Sequence, residues 1–146
     1  GRSSKQAYMD ALHISESNII NQTFHNPLGK MNGQDICIIS LKEVSGNGLC
    51  CYRQVNDSDV LVLLEEQDYN EILDETLQRI RRDFNHISGV FSINCVFRYL
   101  LFSQEHHMED YLKTMSTLGD HAGLIGFGEH YNQQFVNQTM TCVVFE

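Results

Sequence analysis

Apolar residues recur at helical spacing in some stretches of this chain and in strand-like runs in others. From Tyr69 onward, Ile72, Leu73, Thr76, Leu77, Ile80 and Phe84 return at three- and four-residue steps, the stripe of an amphipathic helix. Asp68 and Glu71 stand at capping-box spacing at its start. A second stripe of Met108, Tyr111, Leu112, Met115 and Leu118 predicts another helix, with Ser103 as its cap and Gly119 at its end. A shorter stripe, Ala7, Tyr8, Ala11 and Leu12, follows the Ser3/Gln6 capping box. A further short helix is expected from Ser15, carrying Ile19 and Ile20, until Asn26-Pro27-Leu28-Gly29 breaks it. Residues 1–30 therefore read as a helical lead-in and surface loop.

Strand patterns fill the intervals. Asp35 to Leu41 is rich in isoleucine, and the Gly46-Asn47-Gly48 turn signal folds Leu49 to Arg53 back as a hairpin. After Asn56-Asp57-Ser58-Asp59 comes Val60 to Glu65, and these three strands predict an antiparallel meander. Val90 to Leu101 reads as one long apolar strand, followed late in the chain by Gly123 to Phe127 and Phe135 to Phe145. The order predicts an α+β fold: one mainly antiparallel sheet with amphipathic helices packed on one face, mixed if a helical link produces a parallel pair. No composition break or repeat interrupts residues 1–146, so a single domain is expected.

Composition narrows the function classes. With 146 residues and 42% apolar content, the chain is large enough for a real core. Its net charge of −9 repels phosphate backbones, and its one cluster of cations, Arg79, Arg81 and Arg82, sits on a predicted helix as a solvated face, so no nucleic-acid partner is expected. No apolar run approaches a membrane span, and no secretory signal opens the chain. It begins at Gly1, as expected of an excised piece of a longer protein. Five cysteines, Cys37, Cys50, Cys51, Cys95 and Cys142, form no zinc-ribbon or haem-attachment motif and read as reduced, packed thiols of a cytoplasmic protein.

The chemistry-bearing residues point to binding before catalysis. Cys95 lies in an apolar strand pattern with no sign of activation, so a packed thiol is favoured over a nucleophile. Glu129 is a lone carboxylate with no partner to divide acid and base roles, and the chain is not expected to be an enzyme. His106 and His107 are adjacent and project about 100° apart on a helix, which does not suit one metal. His25 and His121 could each serve as a single axial ligand, although lone histidines are mostly solvated or capping. Arg98 stands in the apolar run Val96-Phe97-Arg98-Tyr99-Leu100, where a buried guanidinium needs a carboxylate or a ligand. Two readings stay open: a structural pair with an acid such as Glu129, or a planar clamp for a ligand carboxylate. Gly123-Leu124-Ile125-Gly126-Phe127-Gly128-Glu129 and Asn137-Gln138-Thr139 bring polar groups to a strand mouth, as a capped hairpin or as one wall of a site.

At these residues the chain resembles the C-terminal domain of FIST proteins, bacterial sensory modules found with signalling output domains. The motifs are Cys95-Val96-Phe97-Arg98 as Cys-x-x-Arg, Gly123 to Glu129 as Gly-x-x-x-x-Gly-Glu, and Asn137-Gln138-Thr139 as Asn-Gln-Thr. Weaker likenesses lie in Tyr8 to Leu12, in Pro27-Leu28-Gly29 and in Ser58-Asp59-Val60-Leu61. The resemblance implies a ligand-sensing domain with Cys95, Arg98, Gly128, Glu129, Asn137, Gln138 and Thr139 as pocket residues and a small polar ligand such as an amino acid. It also implies an upstream FIST N-terminal domain and a signalling output partner. Some members are described as haem proteins that sense nitric oxide, so a haem-based sensor is the alternative, beside a ligand-free interaction or dimerisation domain. Phe97 departs from the family pattern, standing where a small residue is common, and its bulk would narrow a pocket.

Overall fold

Ser3 opens the first helix, α1 (Ser4–Leu12), because its hydroxyl accepts the Gln6 N–H at 3.2 Å, and His13 closes it in the left-handed conformation. The computed structural model describes residues 1–33, 35–131 and 134–146. A 3₁₀ turn, Glu16–Asn18, leads into the short α2 (Ile19–Gln22). Five strands follow: β1 (Leu28–Asn32), β2 (Asp35–Ile39), β3 (Leu41–Ser45), β4 (Gly48–Cys51) and β5 (Leu61–Leu63). The chain divides into two compact units, and these elements make up the first, Gly1–Glu66.

The expected meander is not formed. β1 is the centre of a three-stranded antiparallel sheet ordered β2-β1-β5, while β3 pairs with β4 in a separate two-stranded hairpin. The pattern missed β1 because Leu28 and Gly29 follow a proline and read as a loop. The run predicted as one strand from Asp35 to Leu41 breaks at Ser40. Tyr8, Ile19 and Leu41 are the buried centre of a cluster joined by Leu12, Leu28 and Leu49. Tyr8 reaches across it to donate to the Asn26 carbonyl at 2.7 Å, and burial pushes its hydroxyl pKa up to about 12.

The second unit, Gln67–Glu146, begins with α3 (Tyr69–Asp83). The Asp68 carboxylate caps it, accepting the N–H groups of Asn70 at 2.8 Å and Glu71 at 3.3 Å. Next come β6 (Gly89–Cys95), α4 (Val96–Gln104), α5 (Met108–Met115) and β7 (Asp120–Gly126). A small hairpin, β8 (Glu129–Tyr131) with β9 (Gln134–Val136), precedes β10 (Met140–Phe145). The main sheet is ordered β10-β6-β7, with β6 antiparallel to β10 and parallel to β7. Among the described residues there are five α-helices and ten strands, and all strand pairs but β6–β7 are antiparallel. The α+β class and its mixed pairing hold, but the strands are distributed over several sheets instead of one.

Two further expectations change here. The long strand from Val90 to Leu101 ends at Cys95, where the chain turns directly into α4, so Arg98 lies in the first turn of a helix. A mostly apolar run does not by itself distinguish a buried strand from a buried helix, and this one holds both. Ser103 does not cap the following helix; it sits inside α4 and donates to the Tyr99 carbonyl at 2.7 Å, while α5 starts after His107. The strand expected from Phe135 to Phe145 is also interrupted at residues 137–139, with Gln138 in the left-handed region at φ 55°.

Strand alternation gives the main sheet of the second unit two unlike faces. Val90, Ser92 and Asn94 of β6 are buried on the face where Tyr111 of α5 meets His121 edge-on. Phe91 of β6, Val143 and Phe145 of β10, and Leu124 of β7 occupy the opposite face, where they are exposed.

Candidate functional site

The parallel pair decides where a site forms. β6 and β7 run side by side and end together at Cys95 and Gly126, which are register partners. Helices α4 and α5 connect them, so the N-terminus of α4 opens beside the carboxyl ends of both strands. In open sheets with parallel strands this end is where ligands are held, because strand ends leave a crevice and a helix N-terminus presents N–H groups. All seven sequence-predicted residues belong to segments at this end: Cys95 and Arg98 at the strand-to-helix junction, Gly128 and Glu129 just beyond β7, and Asn137, Gln138 and Thr139 at the entry to β10.

Cys95 knits the segments together. Its N–H donates to the Thr139 carbonyl at 3.0 Å. The backbone N–H groups of Phe97, Gln138 and Thr139 act on its sulfur. Burial nonetheless pushes the thiol pKa up, with those three N–H groups working against the rise. The side chain is 1% exposed, which fits a packed thiol better than an accessible nucleophile.

Glu129 is the unusual group. It is 2% exposed. One carboxylate oxygen, Oε2, accepts the Thr139 hydroxyl at 2.8 Å, and the Cys95 thiol also donates to the carboxylate. The other, Oε1, is buried with no hydrogen-bond partner among the described residues. Burial raises the Glu129 pKa; hydrogen bonds from Thr139 and Cys95 and the charge of Arg98 oppose the rise. Gly128 makes the turn to Glu129 with φ 128°, and a Cβ there would collide with the Phe135 ring.

Arg98 does not form the structural pair with Glu129. Among the described residues no ion pair joins them, although each feels the other's charge. The guanidinium instead lies between two aromatic rings, 5.0 Å from the Phe102 centroid and 5.8 Å from that of Tyr111. Burial pulls its pKa down, with Tyr111 foremost among the groups that counter the shift.

Sequence reasoning missed the layer beneath Arg98. Ser92 Oγ and His121 Nε2 are 2.9 Å apart, and burial lowers the His121 pKa. Gly123 stands beside Ser92 in register; a Cβ there would meet the Ser92 carbonyl and hydroxyl oxygens at 2.6 Å. The Tyr111 hydroxyl approaches Ser92 but has no hydrogen-bond partner, and both amide atoms of buried Asn94 lack one among the described residues. An asparagine inside the apolar run Val90-Phe91-Ser92-Ile93-Asn94-Cys95 was the available signal.

Two other features lie elsewhere. A cavity of about 260 Å³ at the end of α3 is lined by residues including Arg81, Asn85, His86, Thr117 and Leu118, and none of the seven candidates lines it. His25 Nδ1 contacts Glu66 at 2.5 Å in the first unit, and His121 Nε2 faces Ser92 in the second. Each would have to leave that partner or offer its other nitrogen to reach an iron, so this geometry lends haem ligation no support.

A family model described as FIST C domain matches residues 5–132 of the chain. The chain belongs to the FIST C domain family. That span covers the first unit from Lys5 onward and the second unit through residue 132, so it includes Cys95, Arg98, Gly128 and Glu129, while Asn137, Gln138 and Thr139 lie beyond it. The FIST C domain is a sensory-type domain of signal transduction proteins. No curated protein and no solved structure matches the chain. Among the described residues of this FIST C domain, no helix is long and apolar enough to cross a membrane.

Proposed function

We propose that this FIST C domain is a cytoplasmic sensor that binds a small polar ligand such as an amino acid, with binding and not catalysis as its role. The ligand sits at the carboxyl ends of β6 and β7. The observation that carries this reading is Arg98: a partly buried arginine whose guanidinium is held between two aromatic rings, with no hydrogen bond or ion pair among the described residues. A partly desolvated cation of this kind is costly unless an anion meets it in some state of the protein. A ligand carboxylate suits its planar fork. Glu129 Oε1 supplies the complementary acceptor for an ammonium or hydroxyl donor. Occupancy would pull Arg98 and the 137–139 turn toward one arrangement, which an upstream FIST N-terminal domain and an output partner would read.

A thermal-shift screen with amino acids and related carboxylates tests the proposal. A true ligand at a hundredfold over its Kd stabilises by about 2.7 kcal/mol. Arg98→Gln should remove the shift while leaving a folded protein. A screen in which no compound shifts the wild-type domain, with or without the upstream domain, rejects the reading.

One observation favours a second reading, a ligand-free dimerisation domain. Phe91, Leu124, Val143 and Phe145 form an exposed apolar patch on the main sheet of the second unit, with Asp120 of β7 at its edge. Two copies could bury this patch against each other with the carboxylates left at the rim. Light scattering decides it: a dimer mass that reverts to monomer in Val143→Glu supports this reading, and a wild-type monomer removes it.

A further inference from the structure

Asn94 is 3% exposed, and neither its Nδ2 nor its Oδ1 has a partner among the described residues. A buried amide with both ends unmet is expensive, because each end has given up water without gaining a partner. Its position makes the omission informative. It is the second-last residue of β6, one residue before the Cys95 junction and four before Arg98. Alternation puts it on the same face as Ser92. The Tyr111 ring meets His121 edge-on, His121 Nε2 lies 2.9 Å from Ser92 Oγ, and the Arg98 guanidinium lies 5.8 Å from the ring centroid, so the ring borders both the Asn94 face and the guanidinium. Tyr111 is 2% exposed, and its hydroxyl is also unpartnered among the described residues.

These groups have a common chemistry. A carboxylate alone would satisfy Arg98 and Tyr111 but leave the Asn94 acceptor unmet. A hydroxyl or a water can meet one end of the amide at a time. The group that meets both ends at once is a planar neighbour with a donor beside an acceptor, forming two parallel hydrogen bonds. We propose that Asn94, with Tyr111, is the specificity end of the Arg98 site and selects ligands that carry a primary carboxamide, lactam or ureide edge in addition to a carboxylate. This rests on the reading of Arg98 as a carboxylate clamp and adds the class of the ligand's other end. Asn94 and Tyr111 are closed off from solvent, so such a ligand enters through a local opening of the strand-to-helix junction.

Discrimination of this kind is large, because a site built to hydrogen-bond a group leaves its own buried polar atoms unpaired when the group is missing. The test uses three probes of similar length: glutamine, glutamate and methionine, titrated by calorimetry against wild type, Asn94→Leu and Arg98→Gln. Wild type should bind glutamine at least about tenfold more tightly than either isostere, and Asn94→Leu should lose that preference while still binding a carboxylate through Arg98. The melting temperature of Asn94→Leu without ligand is the second readout. It should equal or exceed that of wild type, because the substitution removes two unsatisfied polar atoms. Wild-type binding of glutamate or methionine as tight as glutamine overturns this inference and leaves the sensor reading standing. Binding of none of the probes, together with no hit in the wider screen, removes both. A marked fall in the melting temperature of Asn94→Leu overturns the inference as well, since it would show that the amide has structural partners.

Discussion

The two units treat buried polar groups differently. In Gly1–Glu66 they find partners inside the unit: the Tyr8 hydroxyl donates to the Asn26 carbonyl at 2.7 Å, and the Thr23 hydroxyl accepts the Leu41 N–H at 2.8 Å. Lys30 pairs with Asp59 at 2.7 Å. In Gln67–Glu146 the orphans accumulate. Asn94, His107, Tyr111 and Glu129 all hold buried atoms with no partner, and every such atom among the described residues lies in this unit. Native proteins leave few buried polar groups unmet, and clusters of them mark places where something outside the fold completes the bonding. The first unit is built as a satisfied core, and the second holds open positions at the strand ends and beneath Arg98.

Substitutions can break or sharpen this contrast. The largest effects come from the cores and should be alike in both units. Leu41→Ala in the first and Met115→Ala in the second each remove a side chain at most 1% exposed, and each should cost about 2–5 kcal/mol in denaturant unfolding. Glycine comes next and should differ. Gly128→Ala combines φ 128° with a collision against Phe135, whereas Gly46→Ala has φ 56° and open space around it. The first should cost about 2–3 kcal/mol and the second about 1 kcal/mol. Equal losses would show that the Phe135 contact is soft.

The tyrosines carry the contrast most cleanly. Tyr8→Phe removes a made hydrogen bond and should cost about 1–2 kcal/mol. Tyr111→Phe removes a hydroxyl with no partner among the described residues, so unfolding should show no loss and a small gain. A loss at Tyr111 equal to that at Tyr8 would erase the distinction between the units.

The smallest expected effect is a pH dependence at Glu129. Burial raises its folded pKa above the unfolded value. Its contribution is therefore fully favourable below the unfolded carboxylate range and is lost as pH rises through the folded pKa. Comparing wild type with Glu129→Gln from pH 4 to pH 8 isolates it. Wild type should weaken relative to the variant as pH rises, and a difference that runs the other way would mean that the carboxylate is held charged.

Much of this arrangement was legible in the residues. The α3 stripe with its Asp68 cap and the hairpin at Gly46 follow from periodicity and turn chemistry. The candidate residues were named from motifs that fall at one end of one sheet. What escaped had physical causes. Val90 to Leu101 is apolar at every position but Ser92, Asn94 and Arg98, so its pattern does not separate the strand from the helix, and the sequence alone puts Arg98 in the strand. β1 follows a proline and contains a glycine, which suggested a loop. In the sequence Asn94 and Tyr111 are simply members of a strand pattern and a helix stripe. Whether a buried polar atom has a partner depends on residues distant in sequence.

In the proposed sensor, a small ligand binds through Arg98 beside the orphaned groups of the second unit. Calorimetric titration of the domain with amino acids, wild type against Arg98→Gln, measures that contact. Binding to wild type should be saturable and should weaken by at least about tenfold in the variant, as expected for loss of a charge-assisted bidentate contact. Binding that is undiminished in Arg98→Gln would contradict that reading.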